Sequence, residues 1–169
     1  MQERQVTKMG GNIITLIGPD LHVGDPSPDF TVLNTDLLPK TIGDFQGKIK
    51  LISAVPSLDT GICDQQTKKF NKLASGLSPD IEVLAISMDL PFAQKRWCNI
   101  TGCNKVETLS DHRFASFGEN YGILIKELRL LNRSIFILDK DDHIRYIEIV
   151  EENYNQPDYD SVMETLRNL

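Results

Sequence analysis

At 169 residues, with 40% hydrophobic and 25% charged side chains, the chain is long enough to bury a sizeable core and too apolar to stay disordered. No apolar run approaches the roughly 20 residues of a membrane-spanning helix. A net charge of −6 argues against nucleic acid as a partner, because phosphate binding needs clustered cations.

In chain order, two short β-prone runs flank Met9-Gly10-Gly11, which predicts a hairpin over about residues 4–18 with glycine at the turn. Residues 24–28 read as a loop and residues 30–33 as a short strand. Residues 48–55 are nearly continuous in apolar side chains and predict a central strand. Ile62, Phe70, Leu73, Ala74 and Leu77 share one helical face, so a helix is expected from residue 62 to about 77, stopped by Ser78-Pro79-Asp80. A buried strand over 81–87 follows, then a helix over 91–98 with Pro91 in its first turn. Beyond it come a weak strand at 106–109 and a short helix over 114–121 closed by Gly122. Strands at 133–139 and 143–150 are joined by a polar turn, and an amphipathic helix runs from about 158 to 166. The order predicts one α/β domain over residues 1–169, a mixed sheet with helices on both faces. A thioredoxin-like core with an added N-terminal hairpin fits, as do other α/β folds.

Three cysteines in a chain of this size do not form a disulfide scaffold. The first residues, Met-Gln-Glu-Arg-Gln-Val-Thr-Lys, have neither the apolar stretch nor the small-residue cleavage site of a secretory signal. A cytoplasmic setting is therefore expected, where thiols rest reduced. His22, His112 and His143 are scattered without zinc-site spacing, and neither a phosphate-binding loop nor a dinucleotide fingerprint is present, so no cofactor or metal is expected.

The chemistry concentrates in Pro56-Ser57-Leu58-Asp59-Thr60-Gly61-Ile62-Cys63, between a predicted strand and a predicted helix. A helix mouth presents unpaired N–H groups and the positive end of the dipole, both of which favour a thiolate at Cys63. Simple core packing is the ordinary fate of an isolated cysteine. Asp64 suits the dipole but opposes ionisation of the thiol beside it.

The Pro-x-x-x-Thr-x-x-Cys array, with Lys69-Phe70-Asn71 on the same helix, resembles the peroxidatic motif of peroxiredoxins, in particular the bacterial thiol peroxidases, an atypical two-cysteine branch. The likeness extends through Ser87–Gln94 into Trp97-Cys98, then Thr108–Arg113, Tyr121-Gly122, Arg133 and Glu152 to Tyr159, so it covers nearly the whole chain. It implies a thioredoxin-like fold and a peroxidase in which Cys63 attacks a hydroperoxide and becomes a sulfenic acid. It further implies that Thr60 aligns thiolate and peroxide, Pro56 shields the sulfenate, and Arg133 stabilises the thiolate and the leaving oxygen. Cys98 would be the resolving cysteine, forming an intrachain Cys63–Cys98 disulfide that thioredoxin reduces, in a homodimer. Because disulfide bonding needs Cα atoms within about 7 Å, local unwinding around both cysteines is expected during turnover. Cys103 falls outside the pattern and reads as an incidental loop thiol, with a backup resolver or mixed-disulfide site as alternatives. A rival reading keeps the fold and the cysteines but makes the protein a redox relay or sensor that passes its disulfide to a protein partner. A third makes Cys63 inert and the domain purely structural.

Overall fold

The computed structural model describes all 169 residues. In chain order its strands are β1 (Glu3–Met9), β2 (Asn12–Ile17), β3 (Thr31–Leu33), β4 (Pro39–Thr41), β5 (Ile49–Ala54), β6 (Ile81–Ser87), β7 (Glu107–Ser110), β8 (Leu124–Ile125), β9 (Ser134–Leu138) and β10 (Ile144–Ile149). Its α-helices are α1 (Gly61–Ala74), α2 (Pro91–Thr101), α3 (Ser116–Asn120) and α4 (Tyr159–Arg167).

Seven strands form one mixed sheet in the order β10-β9-β5-β6-β7-β3-β4. The pairs β5–β6 and β6–β7 are parallel, so α1 and α2 serve as the crossovers that parallel neighbours require. β9 returns antiparallel to β5 and β10 continues from it as a hairpin. This is the thioredoxin-like arrangement of a central mixed sheet between helices.

Side chains alternate across the central strands. Leu51 and Val83 pack on one face with Phe70 of α1 and Val162 and Leu166 of α4. Ile52 and Leu84 pack on the other with Phe117, Tyr121, Phe136 and Leu138. Both faces are covered, which explains why β5 and β6 read as nearly unbroken apolar runs instead of an alternating pattern. The aromatic group on the second face is packed edge-on, with the rings of Phe30 and Phe117 5.5 Å apart at 88° and those of Tyr121 and Phe136 5.1 Å apart at 83°.

The N-terminal hairpin forms as expected, turning on Gly10 and Gly11 at φ of 60° and 81°. It stands apart from the main sheet and pairs through β2 with β8 in a separate three-stranded sheet. β8 has two residues and β4 three, too few for any periodicity, and neither was legible in the sequence, nor was the short 3₁₀ turn Ile42–Phe45. Several helix ends move. α1 ends at Ala74, leaving Leu77 in the following turn. α2 runs past Cys98 to Thr101 and is closed by Gly102 at φ 69°, whose N–H donates to the Cys98 carbonyl at 2.9 Å. α3 is shorter than its sequence suggests because the buried Asp111 carboxylate caps it, accepting from the Phe117 and Gly118 amides at 3.1 and 2.8 Å.

Candidate active site

β5 ends at Ala54, and residues 55–60 carry the chain from the end of this interior strand into α1. Asp89, just beyond β6, fixes this crossing. Its carboxylate accepts from Ser57 Oγ at 2.6 Å, from the Leu58 amide at 2.7 Å and from Ser87 Oγ at 2.8 Å. Thr60 then caps α1 with extended backbone (φ −86°, ψ 145°), and its Oγ1 accepts from the Cys63 amide at 3.2 Å. Cys63 thus occupies the third position of the helix, as its motif requires. The hydroxyl expected to align thiolate and peroxide spends an acceptor lone pair on the cap, which leaves its O–H to donate.

Arg133 is the largest side chain that is fully buried, 1% exposed, immediately before β9. It does not snorkel to solvent. Its Nη2 donates to Cys63 Sγ at 3.2 Å, its Nη1 to Gln66 Oε1 at 2.6 Å and its Nε to the Asn153 carbonyl at 2.9 Å. Gln66 in turn donates to Ser53 Oγ at 2.7 Å, so β5, α1 and β9 are tied through one guanidinium. Asn153 accepts from the Arg133 amide at 2.7 Å and donates to Asn132 Oδ1 at 2.6 Å. A buried cation is tolerable where it is hydrogen-bonded, and here each nitrogen of the guanidinium has a partner while one arm faces the sulfur.

The loop carrying Asn153 is held by the N-terminal hairpin. The Gly10 and Gly11 amides donate to the two oxygens of Glu152 at 2.9 Å each, and those bonds, Gly11 first, hold the Glu152 carboxyl below its usual range. The Asn153 amide donates to the Lys8 carbonyl at 2.9 Å. The hairpin is therefore a brace on the segment that orients Arg133.

Cys63 has a second, apolar side. It is fully buried and packs with Val55, Leu58, Trp97 and Cys103, against which Cys98 lies partly buried. All three thiols are free. Burial pushes the Cys98 thiol up, a hydrogen-bonding contact of 3.5 Å with Thr108 Oγ1 pulls it down, and the nearby Cys103 pushes it up again. Cys103 reads from sequence as an incidental loop thiol. It does lie in the loop after α2, but buried at 7% exposure in the cluster of the other two.

Asp64, expected to oppose ionisation of Cys63, is otherwise engaged. It accepts from Trp97 Nε1 at 2.8 Å and pairs with Lys68 Nζ at 2.8 Å. Its charge is partly neutralised, and it latches α1 to α2 next to the two cysteines.

A cleft of about 390 Å³ opens over this site, walled by Pro56, Thr60, Gly61 and Ile62 on one side and by Met9, Leu130, Arg133 and Tyr154 on the other. Three of the expected site residues, Pro56, Thr60 and Arg133, thus line one opening, and the buried Cys63 Sγ lies 3.2 Å from Arg133 Nη2. Cys98 is elsewhere, in the wall of a different cleft of about 350 Å³ with Asp36, Lys95, Glu107 and Thr108. Sequence reasoning missed Gln66, Asn153, Asn132 and Asp89. Gln66 had a signal, since it lies three residues after Cys63 and so on the same helical face. Asn132 adjoins Arg133 and Asn153 lies in the stretch of resemblance from Glu152, but no sequence feature marks either as a partner of the guanidinium.

The chain matches the Redoxin family over residues 22–163. It is 53% identical over 153 residues to a thiol peroxidase of Oceanobacillus iheyensis, covering 90% of this chain and 93% of that one. It is 51% identical over 165 residues to the thiol peroxidase of Bacillus subtilis, covering 98% of each. Among solved structures, a peroxiredoxin-like protein from Aquifex aeolicus superposes with a TM-score of 0.91 at 37% identity over 99% of both chains. A thiol peroxidase from Chromobacterium violaceum shares the fold, with a TM-score of 0.86 at 20% identity over 96% of this chain and 95% of that one. The chain belongs to the Redoxin family and, within it, to the thiol peroxidases, peroxiredoxin-type oxidoreductases on a thioredoxin-like fold.

Proposed function

We propose that Cys63 is the peroxidatic residue of a thioredoxin-dependent peroxidase acting on hydrogen peroxide and organic hydroperoxides, working as a single domain in antioxidant defence in the cytoplasm. The observation that carries this reading is the 3.2 Å contact between Arg133 Nη2 and Cys63 Sγ inside a buried polar network that borders an open cleft. The Cys63 thiolate attacks the distal oxygen of the hydroperoxide. The O–O bond breaks, the sulfur is oxidised to the sulfenic acid, and the alkoxide or hydroxide leaves with a proton as alcohol or water. Arg133 stabilises negative charge on the sulfur before the step and on the departing oxygen during it. The Thr60 O–H donates to the peroxide and holds it in line, and Pro56 keeps bulk water from the sulfenic acid.

Cys98 then attacks the sulfenic sulfur, expelling water and forming the Cys63–Cys98 disulfide, which thioredoxin reduces. The burial of Cys63 and the placement of Cys98 on a different cleft support the need for the first turn of α1 and the last turn of α2 to unwind in this step. A homodimer is the assembly we assign by likeness to the family.

The test is peroxide-dependent NADPH oxidation with thioredoxin and its reductase, alongside peptide mapping after one equivalent of peroxide. Rapid turnover with a Cys63–Cys98 disulfide is expected. Slow turnover with proteins trapped on Cys98→Ser would place the chain among redox relays instead. A Cys63 left reduced by low peroxide would end the proposal.

A further inference from the structure

The thiol that the mechanism leaves unused is Cys103, and the backbone puts it against Cys98. The Gly102 amide closes the end of α2 on the Cys98 carbonyl at 2.9 Å, with Gly102 in the left-handed region at φ 69°. Helix ends capped in this way are frequently accompanied by a contact between the residue after the glycine and the residue whose carbonyl is capped. Those two residues are Cys103 and Cys98. Cys103 is buried in the cluster that also holds Cys63 and Trp97, with Cys98 packed on it. The influence of Cys103 on the Cys98 thiol is the electrostatic counterpart of that proximity.

We propose that Cys103 is a third redox residue, which takes over the disulfide from Cys63 after resolution. The Cys103 thiolate attacks Cys98 Sγ of the Cys63–Cys98 bond. A Cys98–Cys103 bond forms, the Cys63–Cys98 bond breaks, and Cys63 departs as a thiolate. The proton lost from Cys103 goes to solvent, and no net oxidation or reduction occurs. Exchange is fastest when the leaving sulfur is well stabilised as an anion, and Cys63 is the sulfur with a guanidinium beside it. Cys98 and Cys103 are only five residues apart in the chain, so the new bond needs no approach of α1 and lets its first turn re-form. The outcome is a peroxidatic cysteine returned to the thiol state while the oxidising equivalent waits on α2.

This rests on Cys63 and Cys98 acting as proposed above, and the experiment separates the two. The reduced protein is titrated with hydrogen peroxide in the absence of reductant, and its thiols are mapped with dimedone present to trap sulfenic acid. The transfer predicts consumption of about two equivalents per chain, because the regenerated Cys63 reacts again, against about one without it. It also predicts a Trp97–Lys105 tryptic peptide two hydrogens lighter from its internal disulfide, in chains whose Cys63 carries dimedone. Cys103→Ser and Cys103→Ala should both consume about one equivalent and show only Cys63–Cys98. If the unaltered protein itself stops at about one equivalent with Cys63–Cys98 as its only disulfide, the transfer is wrong and the peroxidase reading stands. If it consumes none, the peroxidase reading fails as well. The decisive map is that of the unaltered chain, so it does not depend on how well the variants fold.

Discussion

Cys63 and Cys98 share one hydrophobic cluster but sit in opposite electrostatic settings. Cys63 faces a guanidinium each of whose three nitrogens donates one hydrogen bond, to Asn153, Gln66 or the sulfur itself. Cys98 has one side-chain hydrogen-bonding contact, with the Thr108 hydroxyl, and burial pushes its thiol above the ordinary value. The first environment sets a fixed positive charge 3.2 Å from the sulfur and is assembled by four chain segments. The second favours the neutral thiol and belongs to a single helix and the strand beside it. The difference suits two jobs: one sulfur must be nucleophilic at rest, whereas the other must stay quiet until a sulfenic acid comes within reach.

The sharpest way to break that comparison is to remove each sulfur. Cys63→Ser should abolish peroxide consumption, whereas Cys98→Ser should still consume about one equivalent and accumulate a sulfenic acid that dimedone labels. Equal loss from both changes would show that the two thiols are not divided in this way.

The next largest effect is expected at the guanidinium. Arg133→Lys keeps a charge but loses the fork, leaving Gln66 or Asn153 without its donor. The peroxide rate constant should fall by about 10²–10³-fold, measured by stopped flow. Stability should also fall, by about 1.5–3 kcal/mol in denaturant titration. A rate unchanged by this substitution would remove Arg133 from the chemistry.

Resolution should depend on pH through Cys98. Its thiol titrates above the usual range, so near neutrality only a small fraction is thiolate, and that fraction grows about tenfold per pH unit. The disulfide-forming rate should therefore rise steadily from pH 6 to beyond pH 8, about tenfold per unit. Thr108→Val removes the contact that lowers the thiol, and should slow resolution at neutral pH by about threefold, the worth of one ordinary hydrogen bond. The preceding sulfenic acid formation should be unaffected.

The smallest effects concern the latch and the cap. Asp64→Asn should change the peroxide rate by less than about threefold, because Lys68 and Trp97 already offset the charge. Thr60→Ser should retain the cap that Thr60→Ala loses at a cost of about 1 kcal/mol. Trp97 is the sole tryptophan, so its fluorescence should shift when peroxide forms the disulfide and the Asp64–Trp97 bond opens. A spectrum that stays constant through oxidation would argue against unwinding near Cys98.

The chain's own order of residues determined the parts governed by neighbours along it. The hairpin turn at Gly10-Gly11, the buried runs that became β5 and β6, and the cap-and-cysteine spacing of Thr60 and Cys63 all depend on local backbone preference or on side chains within a turn of one another. Arg133 and Cys98 were legible only by resemblance, because nothing near them in the chain marks them as partners of Cys63. Gln66 was not singled out, and Asp89 and Asn153 fell within stretches of resemblance without a role. Each owes its role to a contact between segments, and a buried cation chooses its partners by three-dimensional donor geometry, which sequence spacing does not encode. The tertiary structure also added what two readings lacked. Asp64, beside Cys63 in sequence, points its charge at Lys68 and Trp97, and Cys103, in an unremarkable loop, is folded by the α2 cap into the cluster that holds the other two thiols.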